Sequence, residues 1–235
     1  MCGRYFILPD PASWNEVREE FGDEVADQIA QSKPRYNVAP SQQIIFIRNL
    51  EEGATSDEAV WTFIPHWWKQ SGLPKFSTKN ARAEDAANKP MWKHAYRHNR
   101  CLIPLSGWYE WTQESWGKQP WLFRDPGGQG MLVAGLWSVW QQTEDTSPML
   151  TCAILTREAL PSLYEIHDRM PVVLERAAWK RWLDPNLTDP DEITRLWQEN
   201  TKQTIEVFPV SKAVNSSRND GPDLIERVDL KPKPF

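Results

Sequence analysis

Short apolar runs set apart by turn-forming residues dominate the chain, a pattern that favours strands over long helices. Residues 3–8 predict a first strand. Asp10-Pro11 then predicts a helix start, with Asp as N-cap and Pro in the first turn. Trp14, Val17 and Phe21 share its apolar face and Gly22 ends it. Residues 23–42 carry no clear period, and 35–40 read as extended before Pro40. Ile44–Ile47 predicts a strand, Glu51-Glu52-Gly53 a turn, and Val60–Ile64 a further strand. The stretch from Ala86 to His98 reads as helical. From Arg100 to Leu155 the chain is strand-rich, with apolar runs around 101–104, 107–111, 120–123, 131–140 and 149–156. Their spacing of about ten residues, with the turn Asp125-Pro126-Gly127-Gly128 between two of them, predicts a meander closing toward a barrel. Met170–Leu174 predicts another strand. Two helices follow, one presenting Ala178, Trp182 and Leu183, the next starting at Asp189-Pro190 and presenting Ile193, Leu196 and Trp197. Ile205–Val210 is a late strand, and the tail from about 220 is polar and rich in Pro. The pattern predicts a single α+β domain over 1–235, a strand-rich, barrel-like mixed sheet flanked by helices.

Composition narrows the partners. Hydrophobic residues make up 40% of the 235 positions and charged residues 25%, enough for a full core. The net charge is −5, so any nucleic-acid site must be a local basic patch. The 14 Trp suit both cores and base-stacking surfaces. Lys93, His94, Arg97, His98 and Arg100 form the most basic segment. His94 and His98 have i,i+4 spacing, but no third ligand and no Glu after the first His accompany them, so no metal site is predicted. Three widely spaced cysteines, Cys2, Cys101 and Cys152, argue against a disulfide framework and fit a reducing compartment. No secretory pattern or long apolar run is evident, which predicts a cytoplasmic protein away from membranes.

Candidate chemistry begins at Met1-Cys2-Gly3-Arg4. On position alone Cys2 is a small apolar residue starting a strand. Removal of Met1 would make it a 1,2-aminothiol, whose amine and thiol have ordinary pKa values of about 8 and about 8.5. Such a pair traps an aldehyde twice, first as an imine and then as a five-membered thiazolidine. Glu110 lies between Trp108, Tyr109 and Trp111. It is either an edge-strand carboxylate facing solvent or a desolvated general acid/base. His167 precedes Asp168-Arg169-Met170 and reads either as a loop residue or as a proton shuttle. Asn80 and Arg82 occupy a polar loop, and the adjacent Trp67 and Trp68 cannot both face one core from an extended backbone.

Seven blocks, in order, resemble one family: Met1-Cys2-Gly3-Arg4; Arg35-Tyr36-Asn37 through Pro40; Pro65 with Trp67; Asn80-Ala81-Arg82; Cys101 through Pro104 with Gly107-Trp108-Tyr109-Glu110-Trp111; His167 through Leu174; and Val210-Ser211 through Asn215. Together they resemble the SRAP (SOS-response-associated peptidase) family of abasic-site processing proteins. The resemblance implies an SRAP fold acting on single-stranded DNA with abasic sites and at ssDNA–dsDNA junctions. It implies autocatalytic Met1 removal, a thiazolidine link through Cys2, and a lyase-like activity. It implies that Asn80 orients the amine, that Glu110 and His167 transfer protons, and that Arg4, Arg82 and Arg169 hold phosphates. Pro40, Trp67 and Trp68 would stack against or wedge beside bases. No metal or cofactor is implied, and the expected protein is a cytoplasmic monomer, nucleoid-associated on damaged DNA. Two other readings stand beside it. Class II glutamine amidotransferases also begin Met-Cys-Gly, and a Trp-rich surface could read modified bases without catalysis.

Overall fold

The computed structural model describes residues 2–50, 53–69, 74 and 76–230. In chain order the strands are β1 (Tyr5–Ile7), β2 (Arg35–Val38), β3 (Gln43–Leu50), β4 (Gly53–Val60), β5 (Asn80–Arg82), β6 (Arg100–Leu105), β7 (Gly107–Glu114), β8 (Gly117–Arg124), β9 (Met131–Trp140), β10 (Met149–Glu158), β11 (Arg169–Pro171) and β12 (Glu206–Pro209). The α-helices are α1 (Asn15–Phe21), α2 (Asp23–Ala30), α3 (Ala83–Ala86), α4 (Lys93–His98), α5 (Trp179–Leu183) and α6 (Pro190–Glu199).

The architecture is α+β with two sheets. One is five-stranded, ordered β12-β8-β7-β1-β2, and the other seven-stranded, ordered β11-β10-β4-β3-β6-β9 with β5 on β10. In the second, β9 also pairs with β10, so the path β10-β4-β3-β6-β9 closes into a ring. Closure removes the unpaired edges that an open sheet presents. The two sheets share a continuous core, with Tyr5, Trp108 and Phe123 from the first and Phe46, Ile103 and Leu155 from the second. Alternate residues Phe6, Tyr109, Leu122 and Phe208 face the opposite side of the first sheet, where Val214 and Leu224 cover them in a smaller core. Among the described residues no helix is long and apolar enough to cross a membrane, and the three cysteines are unpaired.

The structure differs from the pattern reading in several places. Residues 23–30 are helix α2, whose short apolar face of Val25, Ala26 and Ile29 is too sparse to register as a period. Gly22, at φ 91°, makes the sharp join to α1 that other residues resist. The strand expected at Val60–Ile64 is displaced: β4 ends at Val60, and Trp61 turns inward with its indole donating to the Lys79 carbonyl at 2.9 Å. Of the helix expected over 86–98 only α4 (Lys93–His98) forms beyond Ala86, the last residue of α3; residues 87–92 are turns that include Pro90, which cannot donate a backbone N–H. The strand expected at Met170–Leu174 is short, continued only by bridges from Val173 and Leu174. The expected polar tail is also anchored. Asp220 accepts from the Tyr36 N–H at 2.5 Å, and Leu224 is buried. Part of the turn at 51–53 and of the loop after Trp68 lies outside the described residues.

Gly107 governs how closely the chain start approaches β7. A Cβ there would lie 2.4 Å from the Phe123 carbonyl oxygen and 2.4 Å from the Phe6 ring. A backbone carbonyl cannot swing aside, so Gly107→Ala is expected to destabilise the protein by at least about 2 kcal/mol. Urea unfolding measures this, and an unchanged midpoint would disprove the tight approach.

Candidate active site

Pairing of the chain start with β7 builds the site. Tyr5 lies opposite Trp108 and Phe6 opposite Gly107. The Tyr109 N–H donates to the Arg4 carbonyl at 3.0 Å. Continuing this register sets Gly3 across from Glu110 and Cys2 beside it. Strand alternation turns Glu110 to the same face as Trp108, toward the larger core. β7 lies between β1 and β8, and Glu110 is 2% exposed, so the reading as a solvent-facing edge carboxylate is wrong. Burial pushes its carboxyl up to about 7, against an opposing pull from the Lys79 ammonium.

Cys2 is fully buried. Burial, and then the Glu110 carboxylate, raise its thiol well above the ordinary range. Asn80 starts β5, which runs parallel to β10 with Asn80 opposite Ile154. Its Nδ2 donates to the Cys2 carbonyl at 2.6 Å. Its Oδ1 is buried with no hydrogen-bond partner among the described residues. His167 precedes β11 and brings Nε2 to 3.6 Å from Glu110 Oε2. Burial lowers its pKa below 6.5, so the ring is largely neutral at pH 7. The fold thus gathers Cys2, Asn80, Glu110 and His167 from four separated segments. Met1 lies outside the described residues.

A family model described as SOS response associated peptidase (SRAP) matches residues 1–217. The chain belongs to the SRAP family. Among its SRAP relatives, the abasic site processing protein YoqW of Bacillus subtilis is 34% identical, the match covering 96% of this chain and 99% of that one. The abasic site processing protein YedK of Escherichia coli is 30% identical, covering 97% of this chain and all (100%) of the other. A crystal structure of a protein from Bacteroides thetaiotaomicron shares the fold at a TM-score of 0.77 and 21% identity, covering 97% of this chain and 100% of that one.

Around the four gathered residues, the cations of this SRAP chain divide in two. Arg82 is exposed. Arg169 instead makes a paired contact with Glu84, both distances 2.8 Å, and donates to the Thr156 carbonyl at 2.6 Å. Arg4 turns inward, where one terminal nitrogen donates to Asn37 Oδ1 at 2.6 Å and to the Val214 carbonyl at 2.9 Å. Asn37 in turn donates to the carbonyls of Ser216 and Asn219, fastening the C-terminal segment to β2. Both terminal nitrogens of Arg169 are thus engaged by protein acceptors, whereas in half-buried Arg4 the bonds to Asn37 and Val214 use one terminal nitrogen. Arg100, part of the basic segment in sequence, is buried and donates to the carbonyls of Tyr96, Arg97, Trp182 and Asp184.

The aromatic residues divide similarly. Trp14, Trp61, Trp108 and Trp182 are fully buried, so much of the Trp content builds the core. Trp67 is 46% exposed, Trp68 is half-buried, and Pro40 is half-buried. Phe76, which sequence reasoning passed over, is 56% exposed and meets Trp68 edge-on at 6.3 Å. Its only signal in the sequence is an aromatic residue in a polar loop. Lys79 was also missed. It acts on both Cys2 and Glu110, and its one cue was adjacency to Asn80. His94 and His98 are joined by His66, with ring centroids 4.9 and 5.0 Å from His94.

Proposed function

We propose that this protein senses abasic sites in single-stranded DNA and links to them covalently through Cys2 once Met1 has been removed. The observation that carries this reading is the convergence of Asn80, Glu110 and His167 on the residue that becomes the N-terminus. The names of the relatives, abasic site processing proteins, support the same substrate.

The chemistry runs as follows. Glu110 and His167 move the sugar hydroxyl proton so that the ring opens to the C1′ aldehyde. The Cys2 amine, held by the open Asn80 Oδ1, adds to C1′. Water leaves with a proton supplied from Glu110, giving the imine. The Cys2 sulfur then bonds to C1′ and its proton passes to the former imine nitrogen, closing the thiazolidine. One water is lost overall. A carboxyl near pH 7 beside a neutral imidazole serves both directions of transfer, because each group can give or take a proton there. Burial disfavours a free thiolate, so sulfur attack must be coupled to proton removal by its neighbour. An abasic site has no base to flip, which lowers the cost of entering a narrow pocket. Exposed Arg82 would meet a flanking phosphate, while Trp67, Trp68 and Pro40 would receive neighbouring bases.

The test is incubation of Met1-free protein, verified by intact mass, with an abasic oligonucleotide. A heat-stable adduct is expected, with the summed mass of both partners less one water. Absence of any adduct from protein lacking Met1 would refute the proposal. Release of ammonia from glutamine would point to an amidohydrolase instead.

A further inference from the structure

His167 owes its orientation to a chain of contacts that ends at Glu84. The Arg169 N–H donates to His167 Nδ1 at 2.9 Å. Nδ1 also lies 3.2 Å from the Arg169 carbonyl oxygen and 3.2 Å from Asp168 Oδ1, but the shorter contact comes from a backbone N–H that can only donate, so it calls for a lone pair on Nδ1 and, in the neutral ring, a proton on Nε2. Nε2 is the nitrogen that faces Glu110 Oε2 at 3.6 Å. The tautomer useful for exchange with Glu110 is therefore set by the backbone position of Arg169.

That backbone lies at the end of its ladder. β11 pairs with β10 through Pro171, Met170 and finally Arg169 opposite Glu158. Beyond this rung the Ala159 N–H donates to the Asp168 carbonyl at 2.9 Å and the His167 N–H to the Leu163 carbonyl at 3.0 Å, and the Arg169 side chain adds a further tie. Its two terminal nitrogens reach the two carboxylate oxygens of Glu84, each at 2.8 Å, a paired geometry that fixes both distance and plane. Glu84 Oε1 also accepts the Glu158 N–H at 3.2 Å, so one carboxylate ties β10 to Arg169. Burial alone would raise the Glu84 pKa, but the hydrogen bonds from Arg169 more than offset it and hold it below the usual range. The contact is therefore charged across the neutral range. Glu84 stands in α3, four residues after Asn80, so one short segment bears on both Cys2 and His167.

We propose that Glu84 is a positioning residue for His167: through Arg169 it holds the imidazole in the Nε2–H tautomer, aimed at Glu110. The proposal rests on the abasic-site reading for its effect on rate. It also assigns Arg169 a part other than gripping phosphate. The two parts predict opposite results. If Glu84 merely occupies Arg169 until DNA arrives, removing its charge tightens DNA binding. If Glu84 braces His167, removing it slows the reaction and leaves affinity alone.

The experiment compares the parent, Glu84→Gln and Glu84→Ala. Maximal crosslinking rate is measured on an abasic oligonucleotide, and affinity on one bearing the unreactive tetrahydrofuran analogue. Glu84→Ala should lower the maximal rate about 10–100-fold, as loss of an orienting partner does for metal-bound histidines. Affinity should not change, and Glu84→Gln, which keeps one acceptor, should lose less. In a His167→Ala background Glu84→Ala should have no further effect. Tighter binding with an unchanged rate would overturn the proposal, as would additive rate losses in the double variant. The tautomer is read without DNA, from the ¹⁵N shifts of the His167 ring across pH, with Asp168, Glu110 and Arg169 as the charged groups facing it. The Nε2–H form should dominate above the ring's pKa in the parent and fall in Glu84→Ala. An unchanged tautomer refutes the brace even if the parent forms no adduct, which keeps this failure apart from failure of the abasic-site reading.

Discussion

Cys2→Ala is expected to abolish the heat-stable adduct while leaving an imine that borohydride can trap. An alanine in that place still offers an α-amine after Met1 removal, so the first condensation remains open. It has no sulfur to close the ring, and an imine reverts on heating. The fold should survive, because the lost sulfur is one buried atom of a large core and its removal costs about 1 kcal/mol. Denaturing gels with and without reduction separate the two products, and thermal unfolding verifies the fold. An adduct from Cys2→Ala as abundant and heat-stable as the parent's would sink the thiazolidine mechanism. Cys2→Ser adds a graded control, since an oxygen closes a weaker ring and a more reversible link is expected.

Glu110→Gln should have two effects of opposite benefit. Glutamine cannot take up or release a proton, so crosslinking should slow by about 10²–10⁴-fold, the usual contribution of a general acid/base. Stability should instead rise above neutral pH. The folded protein holds the Glu110 carboxyl at about 7 against an ordinary 4.5, so folding favours the protonated form. Its contribution is fully present below pH 4.5 and is lost as pH climbs through about 7. The rise corresponds to about 3 kcal/mol of penalty on the charged form. Glu110→Gln removes that penalty, so its gain in unfolding free energy should be near zero at pH 4 and approach this figure by pH 8. Denaturant unfolding at both pH values decides it. A variant less stable than the parent at pH 8 would mean that the charged carboxylate is well satisfied by its neighbours. A gain in stability with a loss of rate is the mark of a group held in an unfavourable environment for its chemistry.

Both experiments probe a site that sequence reasoning reached by an unequal route. Glu110 and His167 stood out locally, one among aromatic residues and the other before an apolar run. Neither spacing nor period linked them to Cys2 or Asn80, which the family resemblance alone grouped together. Their adjacency follows from pairing partners far apart in sequence: β1 on β7, β5 on β10, and β11 on β10. Strand pairing of this kind leaves no periodic trace, since each strand displays only its own alternation.

The sequence by itself determined the strand-rich α+β character, the caps at Asp10 and Asp189, the absence of a cysteine framework and the family. These follow from local propensity, spacing and block order, which need no long-range information. Only the tertiary structure decided that the second sheet closes on itself and that Glu110 faces inward from an interior strand. It likewise turned Arg4, Arg100 and Arg169 toward protein acceptors. A cation reads the same in sequence whether it meets water, a carbonyl or a carboxylate. Its partner is chosen by the packing of other segments, and at Arg169 that partner is Glu84, 85 residues away.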